Sequence, residues 1–197
     1  MQKLEVRRQL FHIFVGLVFI IGFYYNVITP LIVFILLILG IITSFTLKKV
    51  RIRGIVHFLE LFQREEEKQN LPGRGAIFFF TGVLLAMQLF TKDVALAAIT
   101  ILTLGDSISH IIGRSFGKTR NFINGANKKL LEGTGVGILV AFVGAALFVS
   151  PLEALLASVV AMGAELAEVK LAEKVIDDNL LIPLVAGTVI MLMRLFL

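Results

Sequence analysis

Seven apolar runs, 15 to 20 residues long and separated by short polar segments, leave this chain few folds to choose from. They cover residues 10–25, 30–47, 76–90, 94–112, 134–150, 152–171 and 180–197. An α-helix rises about 1.5 Å per residue, so about 20 mostly apolar residues cover the ~30 Å hydrocarbon layer of a bilayer. The shorter runs fit where the bilayer thins or the helix adjusts its tilt. Composition agrees. Apolar residues make up 57% of the chain, charged residues only 17%, and mean hydropathy is +0.92. Soluble domains carry about 25% charge. A water-soluble globule of 197 residues has too much surface per unit volume to hide this much apolar area. A soluble enzyme, a disordered chain and a fibrous repeat are excluded. The expected fold is an all-α polytopic transmembrane bundle of about seven spans, forming one domain over residues 1–197.

Charge placement predicts how the bundle is oriented. Positive residues gather in cytoplasmic loops. With seven spans and a cytoplasmic N-terminus, 17 of the 19 lysines and arginines fall on the cytoplasmic side, and only Lys92 and Arg194 on the other. The pI near 9.7 is then a topology signal rather than a nucleic-acid footprint. The basic start and first apolar run resemble a signal peptide, but no small-residue cleavage site follows Tyr25, so a retained first helix is expected. Residues 50–63 mix Arg51, Arg53 and His57 with Ile52, Ile55, Leu59 and Phe62, as a helix at the cytoplasmic interface would. With no cysteine, the chain has neither a disulfide framework nor a thiolate metal site.

Polar groups in or beside membrane spans are costly, which makes them functional candidates. One cluster centres on Asp106. At helical spacing, Asp106, His110, Gly113 and Gly117 share a face, and Arg114 follows His110 by four. The competing reading is a structural Asp–Arg pair that fixes helix register. A second cluster combines Lys128, Lys129 and Glu132 with Gly133, Thr134, Gly135 and Gly137. A glycine-rich helix start flanked by lysines suits phosphate oxygens, although glycines in spans more often serve close helix packing. No Walker A pattern is present. Glu5, Arg7, Arg8 and His12 form a third cluster at the start of the first span. The fourth joins Glu165 and Glu168, which share a face, to Asp177, Asp178 and Asn179. Carboxylates of this kind suit Mg²⁺ bound together with substrate phosphates; the alternative for residues 177–179 is a solvated turn and helix cap. All four clusters fall on the cytoplasmic side of the seven-span arrangement. Acids for a metal, bases for phosphate and apolar helices for a lipid tail point to phosphoryl or nucleotidyl transfer to a lipid.

Gly105-Asp106, Ser109, Gly113-Arg114 and Gly117-Lys118, followed by Lys129 and Glu132-Gly133-Thr134, resemble the central motif of the integral-membrane CTP-using lipid enzymes. These are the dolichol, phytol and CTP-dependent diacylglycerol kinases and phosphatidate cytidylyltransferase. Both ends resemble the kinase branch: Glu5, Arg8, His12 and Gly16 at the start, and Asp177-Asp178-Asn179-Leu180 with Pro183 at the end. The chain departs from that pattern at Gln9, where a lysine is usual, and at Leu130, where a serine or threonine is usual.

The resemblance implies a CTP-dependent kinase of a membrane alcohol of polyprenol or phytol type, with CTP, the lipid alcohol and the bilayer as partners and no nucleic acid. Catalysis would involve Asp106, His12, Arg8 and His110, with either His12 or Asp106 accepting the hydroxyl proton. Gly113, Arg114, Lys118, Lys128, Lys129, Gly133, Thr134 and Asn179 would hold the nucleotide. Asp106, Glu132, Asp177 and Asp178 would hold Mg²⁺. A CDP-lipid synthase and a non-enzymatic transporter or structural subunit are the alternatives.

Overall fold

The computed structural model describes residues 2–50, 53–62, 71–117, 130–167, 169–171 and 174–196. Its helices are α1 (Gln2–Tyr24), α2 (Pro30–Lys49), α3 (Arg53–Phe62), α4 (Arg74–Leu89), α5 (Lys92–Thr100), α6 (Ser107–Phe116), α7 (Leu131–Ala145), α8 (Pro151–Ala167) and α9 (Asp178–Phe196). A π-helical turn, Ile101–Asp106, joins α5 to α6. Two short strands, β1 (Lys170–Leu171) and β2 (Lys174–Val175), pair antiparallel between α8 and α9.

Local chemistry sets several of the helix boundaries. Thr29 caps α2 by accepting the Ile32 N–H at 3.5 Å, and Pro30 supplies a preset φ at the first helical position. Gly73, at φ 77°, turns the chain into α4 through a left-handed conformation that a side chain would disfavour. The sixth apolar run is shorter as a helix than its composition suggests. It stops at Ala167, and Lys170–Leu171, expected to be its end, form β1 instead.

Four helical stretches are long and apolar enough to cross a membrane: Leu4–Tyr24, Pro30–Lys49, Lys92–Phe116 and Asp178–Phe196. Arg74–Leu89 and Leu131–Ala145 are shorter apolar helices. Lys92–Phe116 is the axis of the bundle, 72% buried over its most apolar window. Ile99, Ile101 and Leu102 are sealed within it, against Val83, Ala141, Met162 and Ile182 of the surrounding helices. The outer helices reverse this pattern. On α2, Leu31, Phe34, Leu39, Ile42 and Phe45 turn about half or more of their surface outward, which water would penalise and lipid would not.

Small residues set how closely the axis is packed. A Cβ at Gly133 on α7 would stand 2.7 Å from the Gly113 Cα and would collide with the Ser109 carbonyl oxygen on α6. One at Gly137 would stand 2.8 Å from the Gly105 carbonyl oxygen. Gly133 is therefore taken up by a helix seam rather than by a phosphate cradle, because backbone of α6 already fills the space beside it, whereas a Cβ at Gly113 would make ordinary contact 3.6 Å from the Gly133 Cα. Gly135, one helical bearing away, has nothing within 4 Å of a built Cβ. The same substitution should thus act with opposite sign at neighbouring positions. Gly133→Ala should lose about 1–3 kcal/mol by overpacking, and Gly135→Ala should gain up to about 1 kcal/mol of helix propensity. Thermal midpoints of the two variants in one detergent check this; equal shifts would show that the seam is looser than described.

The end of the bundle away from Asp106 and Asp178 is stapled by the two cations that charge placement set apart. Arg194 bonds Glu153 Oε1 at 2.6 Å and Asp93 Oδ2 at 2.7 Å, tying α9 to the starts of α8 and α5. Lys92 Nζ donates to the Tyr24 carbonyl and to Asn26 Oδ1, each at 2.8 Å, closing α5 onto the turn after α1.

Candidate functional site

At the opposite end, four titratable side chains from three parts of the chain converge. Asp106, His110, Glu165 and Asp178 each offer a ligand atom, and all four atoms lie within 4.8 Å of one another. Asp106 ends the π turn, where helix geometry is locally widened, a feature often found at functional sites. His110 stands one α-turn further on, with Nε2 3.3 Å from Asp106 Oδ1. Glu165 comes near the end of α8 and is 1% exposed, and Asp178 opens α9. The β1–β2 hairpin folds the chain back between them, so that two acids 13 residues apart in sequence meet in space.

Three carboxylates so close together, two of them buried, repel one another strongly unless positive charge offsets them. Hard oxygen donors fit a divalent cation such as Mg²⁺, and the imidazole fits Mn²⁺ equally well. This set differs from the one expected from sequence. Asp106 and Asp178 belong to it, but Glu132 and Asp177 do not, and His110 and Glu165 take their places. Asp177 is a helix cap. Its Oδ1 accepts the Asn179 N–H at 3.2 Å and Asn179 Nδ2 at 2.9 Å, while Oδ2 lies 3.8 Å from Arg74 Nε. Burial pushes the Asp177 carboxyl above its ordinary range, against the pull of those hydrogen bonds. Glu132 lies in the first turn of α7, where an acid suits the positive end of the helix dipole.

Arginines border the cluster. Glu5, 3% exposed, accepts from Arg8 at 2.6 Å (NH2) and 3.1 Å (Nε), and its second oxygen lies 3.6 Å from the Arg114 guanidinium. One buried carboxylate on α1 thereby holds an arginine of its own helix and another from α6. Gln9 donates to the same carboxylate at 3.1 Å. A neutral amide at this position satisfies Glu5 without adding a third cation to a buried site. Thr134, 5% exposed, is buried on α7. Lys118, Lys128 and Lys129 lie outside the described residues, as does Glu168.

A cavity of about 350 Å³ has Asp106 in its lining. Arg8, His12, Asp106 and Asn179 line its polar part. Asn179 reaches it because Gly82 has no side chain: a Cβ there would collide with the Asn179 carbonyl oxygen. Asp106 thus borders both the cavity and the carboxylate cluster.

Sequence reading placed Glu5 in the cluster at the start of the first span without giving it a separate role, left Glu165 undecided and gave Arg74 none. For Glu165 the signal was available, since it is an acid within an apolar run. Nothing in sequence marked Arg74 apart from the other loop cations. No protein-family model matches this chain, and no curated protein or solved structure matches it either.

Proposed function

We propose that the chain is a cytoplasm-facing membrane kinase that moves the γ-phosphoryl group of CTP to the hydroxyl of a lipid alcohol of polyprenol or phytol type. The observation that carries this reading is Asp106, shared between a four-ligand cluster suited to a divalent cation and a cavity lined by both polar and apolar side chains. In a seven-span arrangement with its N-terminus inside, as charge placement predicts, both features would open toward the compartment that supplies nucleotide. The motifs at Asp106, at residues 5–16 and at residues 177–183 support CTP as the donor.

In this reading Asp106, Glu165, Asp178 and His110 would hold Mg²⁺, which supplies charge neutralisation at the triphosphate. Arg8 and Arg114, held by Glu5, would meet phosphate oxygens, and Lys118, Lys128 and Lys129, which fall between α6 and α7 in sequence, would add charge. The lipid hydroxyl would enter from the cavity, in line with the bond to be broken. Its oxygen would form the new P–O bond as the β–γ bridging bond breaks, and CDP would leave. His12 is the better acceptor for the hydroxyl proton. Both residues line the cavity, but the Asp106 carboxylate is also committed to the cluster. Positioning and charge stabilisation supply most of the rate in such a transfer.

Detergent-purified protein given CTP, Mg²⁺ and a lipid alcohol should release CDP and yield lipid monophosphate. Release of pyrophosphate from a phosphorylated lipid acceptor would instead identify a CDP-lipid synthase. Turnover of neither acceptor, with nucleotide binding absent, would leave a non-enzymatic membrane subunit.

A further inference from the structure

We propose that Ser107 is a positioning residue for His12: its hydroxyl accepts the His12 Nε2–H and so leaves Nδ1 as the basic nitrogen of the ring. The use made of that nitrogen rests on the kinase reading. The seam that brings the two residues together is a feature of the fold by itself.

The seam lies between α1 and the axis of the bundle. Two contacts fix its register. Glu5 Oε2 lies 3.6 Å from the Arg114 guanidinium, and a Cβ at Gly16 would collide with the Thr103 side chain. Both fit one antiparallel alignment, in which each step forward along α1 is a step back along the axis. Glu5, Gln9, His12 and Gly16 follow one another at helical spacing, and so do Thr103, Ser107, His110 and Arg114, so each set holds one helix face. The alignment sets Gln9 level with His110 and His12 level with Ser107.

Three side-chain atoms of this seam are shielded from solvent and have no hydrogen-bond partner among the described residues: His12 Nε2, Ser107 Oγ and Thr103 Oγ1. Ser107 and Thr103 are both 0% exposed. Unpaired polar groups at such depth are costly, so native proteins find partners for them. Thr103 is pressed onto the α1 backbone at Gly16, one turn along from the imidazole. Asp106 Oδ1 faces His110 Nε2 at 3.3 Å. Phe79 packs edge-on against the His12 ring at 4.9 Å, which holds the ring in place but offers it no hydrogen bond. Ser107 is left as the hydroxyl level with the ring. Its oxygen can move between staggered rotamers. With one donor and two lone pairs, it can take the Nε2–H and still donate its own proton.

Which imidazole nitrogen carries the proton is set by the hydrogen bond that the other atoms of the ring find. Nε2 is shut away from the cavity that His12 lines, so Nδ1 is the nitrogen left to serve it. With Nε2–H held by Ser107, Nδ1 keeps its lone pair. The proton lost by the lipid hydroxyl then ends on Nδ1, the Nε2 proton stays on Ser107, and the ring becomes an imidazolium. The opposite tautomer would turn the lone pair into the seam, where no substrate reaches it.

The test is nuclear magnetic resonance of the full-length protein in lipid bilayers at neutral pH, with isotope-labelled histidine and no nucleotide. His12→Gln identifies the His12 signals among those of the three histidines. His12 should be a neutral ring protonated at Nε2. Ser107→Ala, which deletes one oxygen, should lower the ratio of Nε2–H to Nδ1–H by about tenfold, the effect of losing one hydrogen bond. It should also lower kcat about tenfold with KM for CTP changed less than about twofold. Ser107→Thr keeps the hydroxyl and should restore both. Thr103→Val removes the other orphaned hydroxyl at equal volume and should leave the ratio unchanged. A wild-type ring protonated at Nδ1, an unchanged ratio in Ser107→Ala, or an equal shift in Thr103→Val would each overturn the assignment. If Ser107→Thr is too large for the seam, the comparison of Ser107→Ala with Thr103→Val still decides it. The expected tautomers without phosphate transfer to any lipid would refute the kinase reading and spare the role of Ser107; phosphate transfer with a ratio indifferent to Ser107 would do the reverse.

Discussion

Asp106→Asn should leave a folded protein that transfers phosphate at no more than about a thousandth of the wild-type rate. The substitution conserves shape, so the π turn and the packing of α6 on α7 have no steric reason to change. It removes one of three negative charges in a cluster whose ligand atoms lie within 4.8 Å of one another. It also replaces the carboxylate oxygen that faces His110 at 3.3 Å with part of a neutral amide. Because the same residue borders the acceptor cavity, cation binding and acceptor alignment fail together. Initial rates with radiolabelled CTP, read beside the gel-filtration profile in detergent, test this. A monodisperse variant that retains activity would remove Asp106 from the centre of the mechanism.

The second large effect separates the two carboxylate sets. Glu165→Gln should raise the Mg²⁺ concentration needed for half-maximal activity at least tenfold and lower the maximal rate about a hundredfold. Glu132→Gln should change either quantity less than about threefold, since its carboxylate stands outside the group formed by Asp106, His110, Glu165 and Asp178. A Mg²⁺ titration of both variants decides the matter. If Glu132→Gln proved the more damaging, the cation would belong with the glycine-rich helix start, as the family resemblance implied.

Much of the site was legible before any coordinates. Asp106, His110, Arg114, Arg8 and His12 are expensive residues in apolar surroundings, and the fold does gather them at one end of the bundle. Spacing by three and four correctly paired Asp106 with His110, because that contact lies within one helical turn. For the acids at 177 and 178, sequence left a metal site and a helix cap as alternatives. Asp177 and Asp178 are adjacent in sequence, yet the first residue of a helix and its cap point in different directions. Asp178 enters the cluster while Asp177 is spent on the Asn179 N–H. The glycines were ambiguous for a related reason. A missing side chain serves a phosphate or a neighbouring backbone equally well, and only the partner helix shows which.

Sequence by itself determined the solvent and the inventory. A chain with 57% apolar residues favours apolar helices whose outer faces suit lipid, and four of its helical stretches are long and apolar enough to cross a membrane. The ionisable residues left among them must be used, because burying them otherwise costs too much. Tertiary structure decided which of those residues meet. The approach of α7 to α6 through glycine, the hairpin that returns Asp178 to Glu165, and the bracing of Phe79 against His12 all depend on contacts between distant segments. Local periodicity carries no information about such contacts.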